Sequence, residues 1–192
     1  MARTEESKQD LKRAAILRVA SGQFSRKPFH EVKLDDIATA AKVGKGTLYL
    51  YFQSKDELYT EMVRDGFNEL IEQLRQIEPT TKAWPTLKLA VEQVTKWAYE
   101  NSHFFDMRTV GPATNQSAMR KVRRELGQLI QKIIERGNET GEFHDDMPAL
   151  TAQFVPAMAR SAVVHGPKDL DANATAAHIL KVISAAVRKG SR

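Results

Sequence analysis

Apolar residues recur along this chain at helical spacing nearly from end to end. Leu11, Ala15, Ile16, Val19 and Ala20 mark one face of a first helix, with Ser7 to Asp10 in the pattern of a capping box and Gly22 near its end. Pro28 breaks the chain inside "FSRKPF". Leu34, Ile37, Ala38 and Ala41 predict a short helix over 34–42, which Gly44 stops, and Thr47 to Phe52 predicts another. Ser54-Lys55-Asp56-Glu57 is a capping box for a long helix carrying Leu58, Met62, Gly66, Leu70, Leu74 and Ile77. At about 1.5 Å per residue it runs roughly 36 Å from Lys55 to Glu78.

Further helices are predicted at about 85–101, with Leu87, Val91, Val94 and Trp97 on one face, and over a stripe of Val122, Leu126, Leu129, Ile133 and Gly137. The last two span about 148–165 and 172–188, and "SHFFDMRTVGPATN" reads as irregular or as holding a short helix. No segment has strand periodicity, so the fold class is all-α.

Composition narrows the function. A chain of 192 residues that is 42% hydrophobic and 28% charged is globular. It has no cysteine, which removes disulfides, thiolate nucleophiles and zinc–thiolate sites. No apolar run reaches membrane-spanning length and the N-terminus lacks a signal-peptide core, so a cytoplasmic protein with no membrane partner is expected. The five histidines, at 30, 103, 144, 165 and 178, show no metal spacing. Asp145-Asp146 beside His144 fits capping before Pro148 better than a cation site. Neither a catalytic signature nor a cofactor is expected.

Charge adds a direction. Residues 1–55 hold 11 Lys/Arg against 6 Asp/Glu, whereas the remainder holds 18 of each. The net +5 therefore belongs to the N-terminal end. That is either a solvated face or a docking end for an anionic partner, with nucleic acid the commonest.

"AKVGKGTLYLYFQSKDEL", residues 41–58, separates two chemistries. A phosphate loop needs Gly, four residues, then Gly-Lys and Ser or Thr after a strand. Here Gly44-Lys45 is followed by Gly46, the residue five before Gly44 is Thr39, and the preceding segment is helical. Two short helices around a turn instead fit a helix-turn-helix. Ile37, Ala38, Val43 and Leu48 would pack the pair, and Leu17, Ala20 and Phe24 would complete a three-helix core. Lys45, Gly46, Thr47, Tyr49 and Tyr51 are then left facing outward. Lysine donates to guanine or phosphate, threonine meets phosphate or a thymine methyl, tyrosine offers a ring and a hydroxyl, and Gly46 lets the backbone approach. Phe52 is assigned to the core. Lys55, with the helix end it opens, would hold a phosphate.

Ile37-Ala38, Ala41, Val43-Gly44, Gly46-Thr47-Leu48-Tyr49, Tyr51-Phe52, Lys55 and Leu58, with Phe24 and Val32 upstream, resemble the TetR family of transcriptional regulators. The resemblance implies a three-helix helix-turn-helix domain at 1–54 and a larger helical ligand-binding and dimerisation domain at 55–192. Only helix order, helix lengths and a Gly-Glu-Phe turn at 141–143 carry it beyond residue 60. Two positions depart from it. Lys33 stands where a capping Thr is usual, so that helix start is capped less well or Lys33 reaches a phosphate. Leu50 offers only apolar contact where a longer polar or bulky residue is frequent.

Trp97, Phe104, Phe105, Met107, Phe154 and Met158 are either plain core or, as the resemblance suggests, the lining of a pocket. The scarcity of acidic groups among them points to an apolar or neutral small-molecule effector. "ANATAAHILKVISAAV", 172–187, is apolar on nearly all sides and must be buried on two faces. It is either an internal core helix or meets a second copy through Ile179, Val182, Ile183 and Ala186. The resemblance implies a homodimer formed by the last two helices as a four-helix bundle. The expected protein is a ligand-responsive repressor binding a near-palindromic DNA operator, with ligand tilting the helix at 55–78. Its rivals are a non-sensing nucleoid or cell-division protein of the same fold and a small helical enzyme.

Overall fold

The structure, a computed structural model, describes residues 2–77, 82–105 and 114–187, with the side chains of 2–8 and 114–119 excepted. Every regular element among them is helical. The α-helices are α1 (Ala2–Phe24), α2 (Leu34–Ala40), α3 (Lys45–Tyr51), α4 (Lys55–Arg75), α5 (Ala83–Glu100), α6 (Thr114–Glu139), α7 (Pro148–His165) and α8 (Ala172–Val187). Short 3-10 turns lie at Phe29–Glu31 and Ser102–Phe105. Two compact units result, divided inside α4 between Gly66 and Phe67 and again inside α6 between Ala118 and Met119.

In the first unit, α1 packs on α2 and α2 on α3. Ile16, Leu17, Ala20 and Phe24 of α1 are buried with Val32, Ile37, Ala38, Leu48, Phe52, Leu58 and Met62. Each large side chain fully buried here contributes about 1.5–3 kcal/mol. Phe24 stacks on Phe29 at 5.6 Å between centroids, and Tyr59 meets both edge-on at 5.0 and 5.4 Å. The start of α1 differs from expectation. The helix runs through Ser7–Asp10 back to Ala2, so no box caps it there. Leu11 is exposed, while Leu17 is buried as expected.

The turn between α2 and α3 also differs. The left-handed residue is Lys42, with φ 57°, while Gly44 is extended at φ −67° and ψ 150° and caps α3. Val43 N–H donates to Ala38 O at 3.0 Å and Lys42 N–H to Thr39 O at 3.1 Å. These two bonds form a Schellman motif whose left-handed position holds a lysine.

At α4 the capping box is present. Ser54 Oγ accepts Glu57 N–H at 3.1 Å, and the Glu57 carboxylate reaches back to Gln53 N–H at 2.6 Å, one residue before the usual target.

The second unit is built around α5. Helices α7 and α8 pack against each other and both pack on α5. Of the expected stripe on α6, Val122, Leu126 and Gly137 are buried, joined by Gly127, Ile130 and Ile134, while Leu129 and Ile133 are half-buried at its flank. The Gly-Glu-Phe turn is a junction. Gly141 supplies φ 72°, Glu142 accepts the N–H groups of Ala83 and Trp84 at 2.6 and 2.9 Å, and Phe143 is buried. His144 N–H then reaches Val187 O at 2.7 Å. One acidic side chain thus caps α5, and the next residues tie α6 to the end of α8.

Candidate nucleic-acid interface

Helix α3 is short, and its two sides differ completely. Leu48 and the following Phe52 are fully buried. Lys45, Gly46, Tyr49 and Leu50 face outward, with Tyr49 42% and Leu50 86% exposed, and Thr47 and Tyr51 lie half-buried between. A Cβ at Gly46 would meet nothing within 4 Å, so nothing in the chain itself requires glycine there.

Lys45 opens α3, and its Nζ donates to Asp35 Oδ2 at 2.9 Å with both side chains exposed. The hydrogen bond to Asp35, and then that carboxylate's charge, raise the lysine pKa. Asp35 lies in the first turn of α2, beside Asp36. No sequence feature marked Asp35 as a partner, because ten residues and a turn separate it from Lys45. Lys33 is exposed at the N-cap of α2 and makes no side-chain capping bond. A cation at the positive end of a helix is the unfavourable arrangement.

Lys55, expected to hold a phosphate, is engaged within the chain. Its Nζ donates to Phe29 O at 2.8 Å and Val32 O at 3.1 Å, with His30 O at 3.5 Å. The ammonium also sits 4.5 Å from the centre of the Phe29 ring. A lysine has three N–H donors. All three are turned into the 29–32 segment, so the group pins that segment to the start of α4.

A second tie joins α1 to α4. Arg13 and Arg64 both donate to the Glu61 carboxylate, and the Arg13 guanidinium lies 5.7 Å from the centre of the Phe52 ring. A charged network that the apolar pattern does not reveal thus links α1 and α4 beside Phe52, the residue that ends α3.

Residues 16–62 match the family described as bacterial regulatory proteins, tetR family, and residues 80–164 match the tetracyclin repressor-like C-terminal domain. The chain belongs to the TetR family of transcriptional regulators. Among curated relatives of the family, the HTH-type transcriptional regulator YdgC of Bacillus subtilis is 27% identical over 143 residues, covering 70% of each chain. Among solved structures, FadR of Bacillus subtilis in complex with stearoyl-CoA superposes with a TM-score of 0.75 at 17% identity, over 91% of this chain and 99% of that one. The fatty acid degradation regulator FadR of Bacillus halodurans gives 0.73 at 19% identity, over 90% and 94%. At these identities the structures show the shared fold.

The residues expected to line a pocket separate. Trp97 and Phe104 are buried and Phe105 half-buried, with Trp97 at 4.5 Å from Phe67, 5.7 Å from Phe104 and 6.3 Å from Phe105 between centroids. Met158 is half-buried, and Met107 lies outside the described residues. Phe154 is 44% exposed on the outer side of α7, near the exposed Leu150.

The expected dimer residues divide by helical phase. Ile179 and Ile183 are buried in the core of their own protomer, while Val182 and Ala186 face outward. Two basic side chains approach in this unit. Gly127 of α6 lies against Gln153 of α7. Nearby, Arg123 is exposed overall, and partial loss of hydration and then the charge of the Arg160 guanidinium lower its pKa. Among the described residues no helix is long and apolar enough to cross a membrane.

Proposed function

We propose that this TetR-family regulator is a cytoplasmic, non-enzymatic, homodimeric repressor that binds a near-palindromic operator through α3 and is released by a fatty-acyl ligand. The observation that carries the DNA reading is the division of α3. Leu48 and Phe52 are spent on the core, so Lys45, Gly46, Thr47 and Tyr49 are available to a duplex. Lys33 and Tyr51 are proposed as backbone contacts beside them. Lys55 acts from within, by fixing the 29–32 segment.

The outer sides of α7 and α8 supply the proposed dimer face, with Leu150, Phe154, Val182 and Ala186 on it. The pocket candidates alone suggest an apolar or neutral effector, and a fatty-acyl ligand keeps the apolar part while adding a charged head. Structural relatives named for fatty acid degradation and stearoyl-CoA favour an acyl chain, and Arg123 with Arg160 favours an anionic head. The apolar part would lie against Trp97 and Phe104. Ligand binding would act through α4, which carries residues of both compact units.

Selection of bound fragments from the source genome gives the operator, and fluorescence anisotropy then follows its release. Long-chain acyl-CoA should lower operator affinity at least ten-fold, and CoA alone should not. Operator binding that no acyl-CoA or free fatty acid changes overturns the effector class.

A further inference from the structure

Lys45 is not an isolated cation on the reading face. Its ammonium is held at 2.9 Å by Asp35, from the neighbouring helix, and both side chains are exposed. A carboxylate beside a DNA-facing lysine is costly to general affinity, since it repels every phosphate. Nor does the local fold require Asp35, because Asp36 also places a negative charge in the first turn of α2.

From this juxtaposition we infer that Asp35 is a specificity-determining residue, which restrains Lys45 from promiscuous phosphate contact and leaves it competent for base contact. The inference rests on α3 being the DNA-reading helix.

The reasoning follows from how each target uses the ammonium. Non-specific binding is driven by release of counterions as cations neutralise phosphates. A lysine already neutralised by a carboxylate adds little to that release. A phosphate drawn to it also meets the Asp35 carboxylate and is repelled. A guanine edge carries no charge to repel. The ammonium has three donors, so one can stay on Asp35 while another meets N7 or O6. Gly46, with open space where a Cβ would stand, keeps the approach to the edge clear. The same carboxylate therefore opposes one contact and permits the other.

Anisotropy with the full chain on the selected operator and on a random duplex, across several salt concentrations, tests this. The variants are Asp35→Asn, Lys45→Ala and the double variant, with Asp35→Ser as a second replacement should the first fold poorly. Asp35→Asn should tighten random-duplex binding several-fold and steepen its log–log salt slope by about 0.9, one further phosphate contact. The ratio of operator to random affinity should fall. Bare repulsion by Asp35 would also tighten binding, and the double variant separates the two causes. In the Lys45→Ala background, Asp35→Asn should give little of that gain. An equal gain with and without Lys45 overturns the inference, as does an unchanged specificity ratio. If no fragment binds better than random DNA, the repressor reading itself fails, while the random-duplex cycle still reports whether Asp35 acts through Lys45.

Discussion

The ring of Phe143 occupies the space left by the missing side chain of Gly137: a Cβ there would lie 2.0 Å from Cδ2 of that ring. Gly137 sits in α6, where alanine would ordinarily gain about 1 kcal/mol in helix propensity. Overpacking costs about 1–3 kcal/mol and can cost more. Gly137→Ala should therefore destabilise the protein in urea unfolding. Phe143→Leu should relieve part of the loss in the double variant, and additive losses would show that the two residues are not in conflict.

The two sides of α8 should answer differently to charge. Ile183 is fully buried in its own protomer, so Ile183→Asp buries an unpaired carboxylate and should cost several kcal/mol of folding stability. Val182, 42% exposed in the single chain, should tolerate Asp in the fold while losing the dimer. Light scattering of folded Val182→Asp should give the mass of one chain. A stable dimer would move the interface away from this face.

Lys42 stores backbone strain. A left-handed conformation costs a non-glycine residue about 1–2 kcal/mol, so Lys42→Gly should raise stability by about 1 kcal/mol. Gly44→Ser should add only a few tenths, since glycine is already an acceptable N-cap and the new Cβ meets Thr47 Oγ1 at an ordinary 3.7 Å. Thermal melts of both variants check the order of the two effects.

His103 gives the second unit a dependence on acid. It lies edge-on to Phe104 at 4.2 Å, and burial lowers its pKa from 6.5 to about 4. The unfolded chain therefore takes up the proton first as pH falls. The contribution of neutral His103 is intact above about pH 6.5, and it is lost between there and about pH 4. His103→Gln does not titrate. Across that window the Tm of the wild type should fall relative to the variant, and above it the difference should be flat. A difference independent of pH would show that His103 is not held neutral.

Periodicity made most of the fold legible, since α7 and nearly all of α4, α5 and α8 follow from apolar spacing alone. Helix α3 was legible for the same reason: Leu48 and Phe52 satisfy the core, which leaves its neighbours outside. What the sequence concealed were choices among equally apolar or equally charged faces. On α8, apolar residues surround the helix, so its phase could not be read, and which of them fill the core, as Ile179 and Ile183 do, stayed open. Gly44 drew the turn to itself because glycine is the usual left-handed residue, while Lys42 adopts that conformation. The bonds of Lys55 to carbonyls at 29–32 were hidden because those groups lie far away in sequence and give no charge signal. Asp35 escaped notice because only the crossing of α2 and α3 brings it to Lys45.

The central claim is that two copies of α3 read DNA together. Footprinting of the selected operator tests it most directly, with Val182→Asp as the single-chain control. The account predicts two symmetric protected half-sites with centres about 34–36 Å, or a multiple of that, apart. It also predicts that Val182→Asp leaves at most weak protection. A single asymmetric footprint, or one that the monomeric variant retains at full strength, would contradict it.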